Sequence, residues 1–192
     1  DDLKIQKHIY QNEICINKLF KGSSNIVQFF DSFIDTPEGQ PGKPGRIKVN
    51  ILLELGEKSL EKEILTPTGL IDSQPKIIKI FKDILTGIEQ IHAKGIVHKD
   101  IFPKNIILFK NQAKIADFGV SGLSLEGREM YKNPNNKLFD PAFYGLGWMK
   151  VIEESEYKDI FWAGFILYRM MFNKELDLKE TNVEYVIPAG TD

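Results

Sequence analysis

Two polar clusters, His98-Lys99-Asp100-Ile101-Phe102-Pro103-Lys104-Asn105 and Asp117-Phe118-Gly119, bracket two short apolar runs near the middle of the chain. The runs, Ile106-Ile107-Leu108-Phe109 and Ala113-Lys114-Ile115-Ala116, flank Lys110-Asn111-Gln112, the pattern of two β-strands joined by a turn. A hairpin brings its ends together, and here the ends are Asn105 and Asp117. A fold that forms it brings an amide and a carboxylate together, with the Asp100 carboxylate five residues before the amide, a set that could hold a metal. Either cluster alone reads equally well as a polar turn beside an apolar strand. Both at this spacing, after a long amphipathic helix, are a specific signal.

The rest of the chain supplies the frame. Leu3 to Phe20 carries Ile5, Ile9, Ile16 and Leu19 at close to helical period. Ile26-Val27-Gln28-Phe29-Phe30 and Ile47 to Leu53 read as strands, separated by a Pro- and Gly-rich loop from Thr36 to Arg46. Leu53-Glu54-Leu55-Gly56 breaks the second strand, and Ser59 to Leu65 reads as a short helix. Ser73 is placed to cap a long helix striped by Ile77, Ile80, Phe81, Ile84, Ile88 and Ile91. Ser121 to Ser155 is expected to be irregular, and Ser155 to Phe172 to form a last, strongly apolar helix with Phe161 and Trp162 in the core.

Composition excludes some classes. At 192 residues and 42% hydrophobic content, the chain can build one sizeable core or two small ones. A net charge of −2 offers no broad basic surface, so neither nucleic acid nor an anionic membrane is an expected partner. The single cysteine, Cys15, excludes an internal disulfide framework and fits a reduced, cytoplasmic setting, where it reads as a small buried hydrophobe. Asp1-Asp2-Leu3-Lys4 lacks a signal-peptide pattern. The stretch from Ile160 to Phe172 is too short to span a bilayer and contains Arg169, so no membrane segment is expected.

The two clusters resemble the catalytic and metal-binding loops of eukaryotic-type protein kinases, in which His-Arg-Asp, four variable residues and Asn precede Asp-Phe-Gly. The resemblance implies an α+β, two-lobed fold, incomplete at both ends. Residues 1–55 correspond to part of the small lobe and residues 56–192 to part of the large lobe. It implies ATP and Mg2+ as cofactors and a protein partner, either a substrate with Ser or Thr hydroxyls or a binding partner. Asp100 then orients the attacking hydroxyl and accepts its proton. Asn105 and Asp117 hold the metal, which prefers oxygen ligands and keeps several waters. Glu13 matches the helix acid that pairs with a strand Lys, Leu53 the back of the adenine pocket, and Glu54 and Leu55 the hinge whose backbone meets adenine. Ile107 joins these nucleotide-binding positions. Tyr157-Lys158-Asp159 resembles the start of the central helix, with Asp159 anchoring the backbone of the catalytic loop.

The chain also departs from the family. The Gly-rich loop and the strand bearing the ATP-binding Lys are expected before Asp1, and the late helices after Asp192. Phe102 stands where Ser/Thr kinases carry a Lys that meets the transferred phosphate. At ~4 Å and an effective dielectric of ~20, such a contact is worth about 4 kcal/mol. Losing half of it slows transfer by a factor of roughly tens. Lys104 occupies the later position at which tyrosine kinases place an Arg, and can supply that charge, or it is an exposed loop charge. Asp140 replaces a Thr, and Gly147, twelve residues before Asp159, replaces the Glu of Ala-Pro-Glu. Ser121, Ser124 and Tyr131 offer hydroxyls for phosphorylation. The expected activity is therefore impaired or dependent on segments outside this chain. The alternative is a pseudokinase that kept the fold as a binding or scaffolding module. A small-molecule kinase of the aminoglycoside phosphotransferase type shares the His-x-Asp loop, but Asp117-Phe118-Gly119 and the Asp159 helix argue against it.

Overall fold

The computed structural model describes residues 13–35, 48–66, 70, 73–110, 112–132 and 156–173. Helix α1 covers residues 13–19. Strands β1 (Phe29–Asp35) and β2 (Lys48–Leu53) pair antiparallel, with a bulge between Phe29 and Asp31. Strand β3 (Lys58–Ser59) leads into α2 (Leu60–Ile64), and α3 runs from Gln74 to His92. After β4 (Ile96–Val97) and a 3-10 turn at Pro103–Asn105, β5 (Ile106–Phe109) and β6 (Gln112–Ile115) form the expected hairpin. Strand β7 (Gly122–Leu123) pairs with β4, and α4 (Leu125–Lys132) and α5 (Tyr157–Phe172) complete the described elements.

The isoleucine stripe explains where α3 lies. Ile77, Ile80, Ile84, Ile88 and Ile91 are all buried, and Phe81 packs against the same core. At 3.6 residues per turn these positions share one face. That face meets β6 on one side and α5 on the other, where Ala163, Ile166 and Met170 are buried. Ile16 of α1 and Phe20 just after it, Leu60 and Ile64 of α2, and Ile106 and Ile115 of the hairpin join one continuous core. Each such buried side chain contributes roughly 1.5–3 kcal/mol. Among the described residues, no helix is long and apolar enough to cross a membrane.

Several local expectations change. The strand foreseen from Ile26 begins at Phe29 and runs on to Asp35. Ile26 instead makes a parallel bridge to Ile115, because Val27 N–H donates to Ile115 O and Ile115 N–H to Asn25 O. The hairpin captures these residues before β2 can. Ser73 does occupy the N-cap of α3, but its side chain makes no capping bond, and Pro75 fixes the first turn. Ser59 does cap α2, accepting from Lys62 N–H at 3.4 Å. Cys15 is half-buried rather than fully buried.

Part of the stretch expected to be irregular, Ser121 to Ser155, is ordered as β7 and α4; residues 133–155 lie outside the described residues. Ser124 Oγ accepts from Gly127 N–H at 3.0 Å, the bond of an N-cap residue. Gly127 lies against Gly95 so closely that a β-carbon on it would stand 1.9 Å from Gly95 O. That close approach admits glycine alone, and Ser124 N–H also donates to Gly95 O. On α5, Trp162 packs against the core, whereas Phe161 is 41% exposed. The buried face is set by Asp159, Ala163, Ile166 and Met170, and Phe161 lies off it.

Candidate active site

The loop carrying Asp100 is held from beneath by α5. Asp159 is fully buried; its Oδ1 accepts from Lys99 N–H and its Oδ2 from His98 N–H, both at 2.8 Å. His92 Nε2 lies 2.9 Å from the same Oδ2. Lys99 takes a left-handed backbone with φ of 74°, a conformation that non-glycine residues adopt at a cost. The Asp159 bond holds it there, so α5 dictates the turn on which Asp100 is presented.

His98 is the second support. Its ring is fully buried, with Nδ1 accepting from Asp100 N–H at 3.3 Å and Nε2 3.2 Å from Ala116 O. Those partners require the proton on Nε2 and a bare Nδ1, the neutral imidazole. Burial acts the same way, pushing the ring's pKa below its ordinary value against the opposing pull of Asp159, Ala116 O and the carboxylates of Asp117 and Asp100. Phe118, buried, lies between the His98 ring, at 5.0 Å, and Phe20 at the end of α1, stacked at 5.2 Å. The Asp-Phe-Gly segment is thereby wedged between α1 and the loop bearing Asp100.

Asn105 joins the two polar clusters. Its Nδ2 donates to Asp100 O at 2.9 Å and to Asp100 Oδ2 at 2.8 Å. Both partners are acceptors, so the amide orientation is fixed and Oδ1 is the atom turned elsewhere. Ala116 N–H donates to Asn105 O at 2.9 Å, which closes the base of the hairpin and brings Asp117 alongside. Asp117 is exposed, with φ of 72°, and its Oδ1 accepts from Gly119 N–H at 3.1 Å. Left-handed backbone is a strained state that Asp tolerates better than most residues. An amide oxygen and a carboxylate are the oxygen donors that a hard divalent cation keeping several waters takes, so the residue types fit Mg2+.

Lys104 and Phe102 now have definite places. Lys104 Nζ lies 3.1 Å from Asp100 Oδ2, and this contact raises its pKa above the ordinary lysine value. The Phe102 ring sits 4.5 Å from that of Trp162, turned onto α5. Glu13, half-buried on α1, has its pKa raised, first by burial and second by the nearby Asp117 carboxylate. The two carboxylates flank Gly119, where a β-carbon would stand 3.2 Å from Asp117 Oδ1 and 3.9 Å from Glu13 Oε2.

Of the other expected nucleotide-binding positions, Leu53, Glu54 and Leu55 lead into Gly56, which packs on β5. Leu53 closes β2 opposite Phe29, and Glu54 N–H donates to Gln28 O at 2.8 Å. Leu55 is 93% exposed. A β-carbon on Gly56 would stand 2.2 Å from Ile107 Cγ2, so Ile107 lies directly against the segment that follows Leu55. Ile107 is two residues from Asn105, which links this group to the first through β5.

Sequence reasoning passed over Lys114. It grips the Glu54 carboxylate with Nζ to Oε1 and Oε2 distances of 2.7 and 2.8 Å. The available signal was a charge set among Ala113, Ile115 and Ala116. Ser121 and Ser124, considered for phosphorylation, are buried; Ser121 Oγ donates to His98 O and Ser124 Oγ accepts from Gly127 N–H. Asp140 and Gly147 lie outside the described residues, as does the side chain of Tyr131.

Comparison with known proteins agrees with this arrangement. The family model described as protein kinase domain matches residues 1–187. The MAP kinase kinase MKK1/SSP32 of Saccharomyces cerevisiae is 35% identical over 126 residues, covering 63% of this chain and 23% of the relative. The serine/threonine-protein kinase MPS1 of Encephalitozoon cuniculi is 31% identical over 168 residues, covering 84% of this chain and 26% of the relative. The serine/threonine-protein kinase AKL1 of Saccharomyces cerevisiae is 28% identical over 177 residues, or 84% and 16%. The chain spans about a quarter or less of the length of these relatives. It belongs to the protein kinase domain family.

Proposed function

We propose that this chain is the nucleotide-binding and phosphoryl-transferring part of a Ser/Thr protein kinase, acting on protein hydroxyls in a cytoplasmic setting. The observation that carries the reading is the Asn105 amide. It donates to both the carbonyl and the carboxylate of Asp100, which leaves Oδ1 as its acceptor, while Ala116 N–H on Asn105 O brings the backbone of Asp117 next to it. In this reading Asp100 orients the attacking hydroxyl and takes its proton. Asn105 Oδ1 and the Asp117 carboxylate hold Mg2+, which when bound neutralises charge on the phosphate oxygens. The backbone of Glu54 and Leu55 meets the adenine, with Leu53 and Ile107 beside it. In the same reading Glu13 is the helix acid that pairs with the nucleotide-binding Lys. The lobe boundary at residue 55, with 1–55 and 56–192 on either side, belongs to the same proposal. Lys104 supplies the charge absent at position 102, at a reduced rate.

Two contacts favour the alternative, a pseudokinase that binds or scaffolds. The Phe102 ring is turned onto Trp162, and the Lys104 ammonium is held on Asp100, the group proposed as base. Two measurements on the complete protein separate the readings. ATP with Mg2+ at 100 times its Kd should stabilise the fold by about 2.7 kcal/mol, and Asp117→Asn should abolish most of that. Phosphotransfer to a protein substrate should fall to background in Asp100→Asn. Transfer undiminished in Asp100→Asn would sink the enzyme reading, and a thermal shift undiminished in Asp117→Asn would sink the metal site.

A further inference from the structure

Lys114 has no part in the roles above, yet three segments of the site meet at its ammonium. Its side chain is 12% exposed and that of Glu54 24%. The bond is bidentate, and the ammonium also lies 4.7 Å from the centre of the Phe109 ring. Glu54 Oε2 accepts a further bond from Gln28 N–H at 3.1 Å. Gln28 in turn spans the turn after α1, donating to Ser23 O and Ile26 O and accepting from Gly22 N–H. The same connection is stitched to β6 by Asn25 Nδ2 to Ala113 O, Val27 N–H to Ile115 O and Ile115 N–H to Asn25 O. Lys114 stands three residues before Asp117 and directly across the hairpin from Ile107.

Packing alone does not call for a charge here, since an apolar pair of similar volume often stabilises a fold as well. What an ion pair with this geometry adds is one fixed register. We propose that Lys114 is a positioning residue: by gripping Glu54 it sets the spacing between the backbone that meets the nucleotide's base and the strand that delivers Asp117 to its phosphates. The proposal rests on the nucleotide reading of the hinge given above. It assigns Glu54 a side-chain role besides its backbone one. A nucleotide spans both ends of the site, so a hinge released from β6 weakens binding of the whole ligand more than it slows chemistry once the ligand is held.

The test uses the complete protein as wild type, Lys114→Met, Lys114→Arg, Glu54→Gln and the Lys114→Met/Glu54→Gln double variant. Lys76→Met, which breaks the distant Lys76–Glu63 pair, is the stability control. Lys114→Met should raise KM for ATP about tenfold, the loss of one charge-assisted hydrogen bond, with a much smaller change in kcat. Lys114→Arg should recover most of it, because the guanidinium also bonds a carboxylate bidentately. The double variant should be no worse than the worse single. Amide hydrogen exchange of the nucleotide-free protein should quicken together at Glu54 and at residues 117–119 in Lys114→Met, and stay unchanged in Lys76→Met. Equal losses of melting temperature in Lys114→Met and Lys76→Met, with KM and exchange at the hinge unmoved, would overturn the proposal. Were the wild type to bind no nucleotide, the hinge reading would fail while the exchange measurement still decided the coupling: quickening confined to β6 would overturn it, and joint quickening would uphold it.

Discussion

Replacing Asp159 by Asn isolates the support of the Asp100 loop, because the new side chain has the same shape and one acceptor fewer. The structure says which bond is lost. If the new amide nitrogen took the Oδ2 position it would face His98 N–H, donor against donor, with His92 beside it. Placed at Oδ1, it faces Lys99 N–H alone, and the remaining oxygen keeps both other partners. The second arrangement is the cheaper one. One charge-assisted bond to a half-buried N–H disappears, at roughly 1.5–3 kcal/mol, and the other bonds fall towards neutral strength, at about 0.5–1.5 kcal/mol each. Lys99 is then free to leave its left-handed conformation, which returns roughly 1–2 kcal/mol. The net loss is about 2–4 kcal/mol, or roughly 5–15 °C in Tm for a domain of this size. Asp159→Ala should cost more, since it orphans both backbone donors. Thermal melting of the complete protein and a phosphotransfer assay would read the two effects, with kcat falling further than nucleotide affinity. If Asp159→Asn melted within a degree of wild type, or if Asp159→Ala were the milder change, the reasoning about the buried carboxylate would be wrong.

Two further outcomes are expected. Lys104→Ala should lower the phosphotransfer rate more than it weakens nucleotide binding, because a charge meeting the phosphoryl group counts most in the transition state. Phe102→Lys should partly restore that rate while lowering Tm through loss of the Phe102–Trp162 contact, and a restored rate without the Tm change would contradict the ring placement. For His98, burial lowers the pKa in the folded state, so below about pH 6.5 the unfolded chain takes up a proton that the folded chain refuses. Its contribution is complete above that pH and is lost as pH falls towards the folded pKa. The urea midpoint should therefore drop between pH 7.5 and 5.5, and the drop should shrink in His98→Gln; an equal slope in both proteins would refute the buried neutral ring.

What could be read from the sequence follows from how local each signal is. Hairpin β5–β6 and helix α3 were legible because alternating and helical periods are short-range properties, present in the residues themselves. Juxtaposition of Asn105 with Asp117 then followed from hairpin geometry, without knowledge of any other element. The start of β1 was not legible, because Ile26 and Val27 are as apolar as Phe29 and only the competition between β2 and β6 assigns them. Helix α4 was missed for a related reason. Gly127 looks like a helix breaker, and its use appears only when Gly95, distant in sequence, is brought against it. Glu54 and Lys114 lie sixty residues apart, and nothing in either neighbourhood announces the pair. Asp159 was legible through resemblance alone. A carboxylate in the first turn of an apolar helix is ordinarily a favourable charge at a helix N-terminus, and its burial beneath another loop is a tertiary fact.

The placement of Phe102 and Lys104 bears on whether this loop can still do chemistry. A lysine at position 102 would have to abandon the surface of α5, where an aromatic ring now fills the space beside Trp162. The 3-10 turn at Pro103–Asn105 instead brings position 104 round to the carboxylate of Asp100, four residues earlier. That ion pair is more than half exposed on the lysine side, and such pairs are weak and screened by salt. A bound triphosphate carries several negative charges against the single charge of Asp100, so it can draw the ammonium away at small cost. The same movement strips Asp100 Oδ2 of one donor while the Asn105 amide keeps the carboxylate in place. Asp100 Oδ2 is thereby left open to a hydroxyl as its former partner turns to the phosphate. The ion pair of the nucleotide-free chain is thus compatible with activity, and the rate of Lys104→Ala relative to its nucleotide affinity is the quantity that tells a resting arrangement from a dead one.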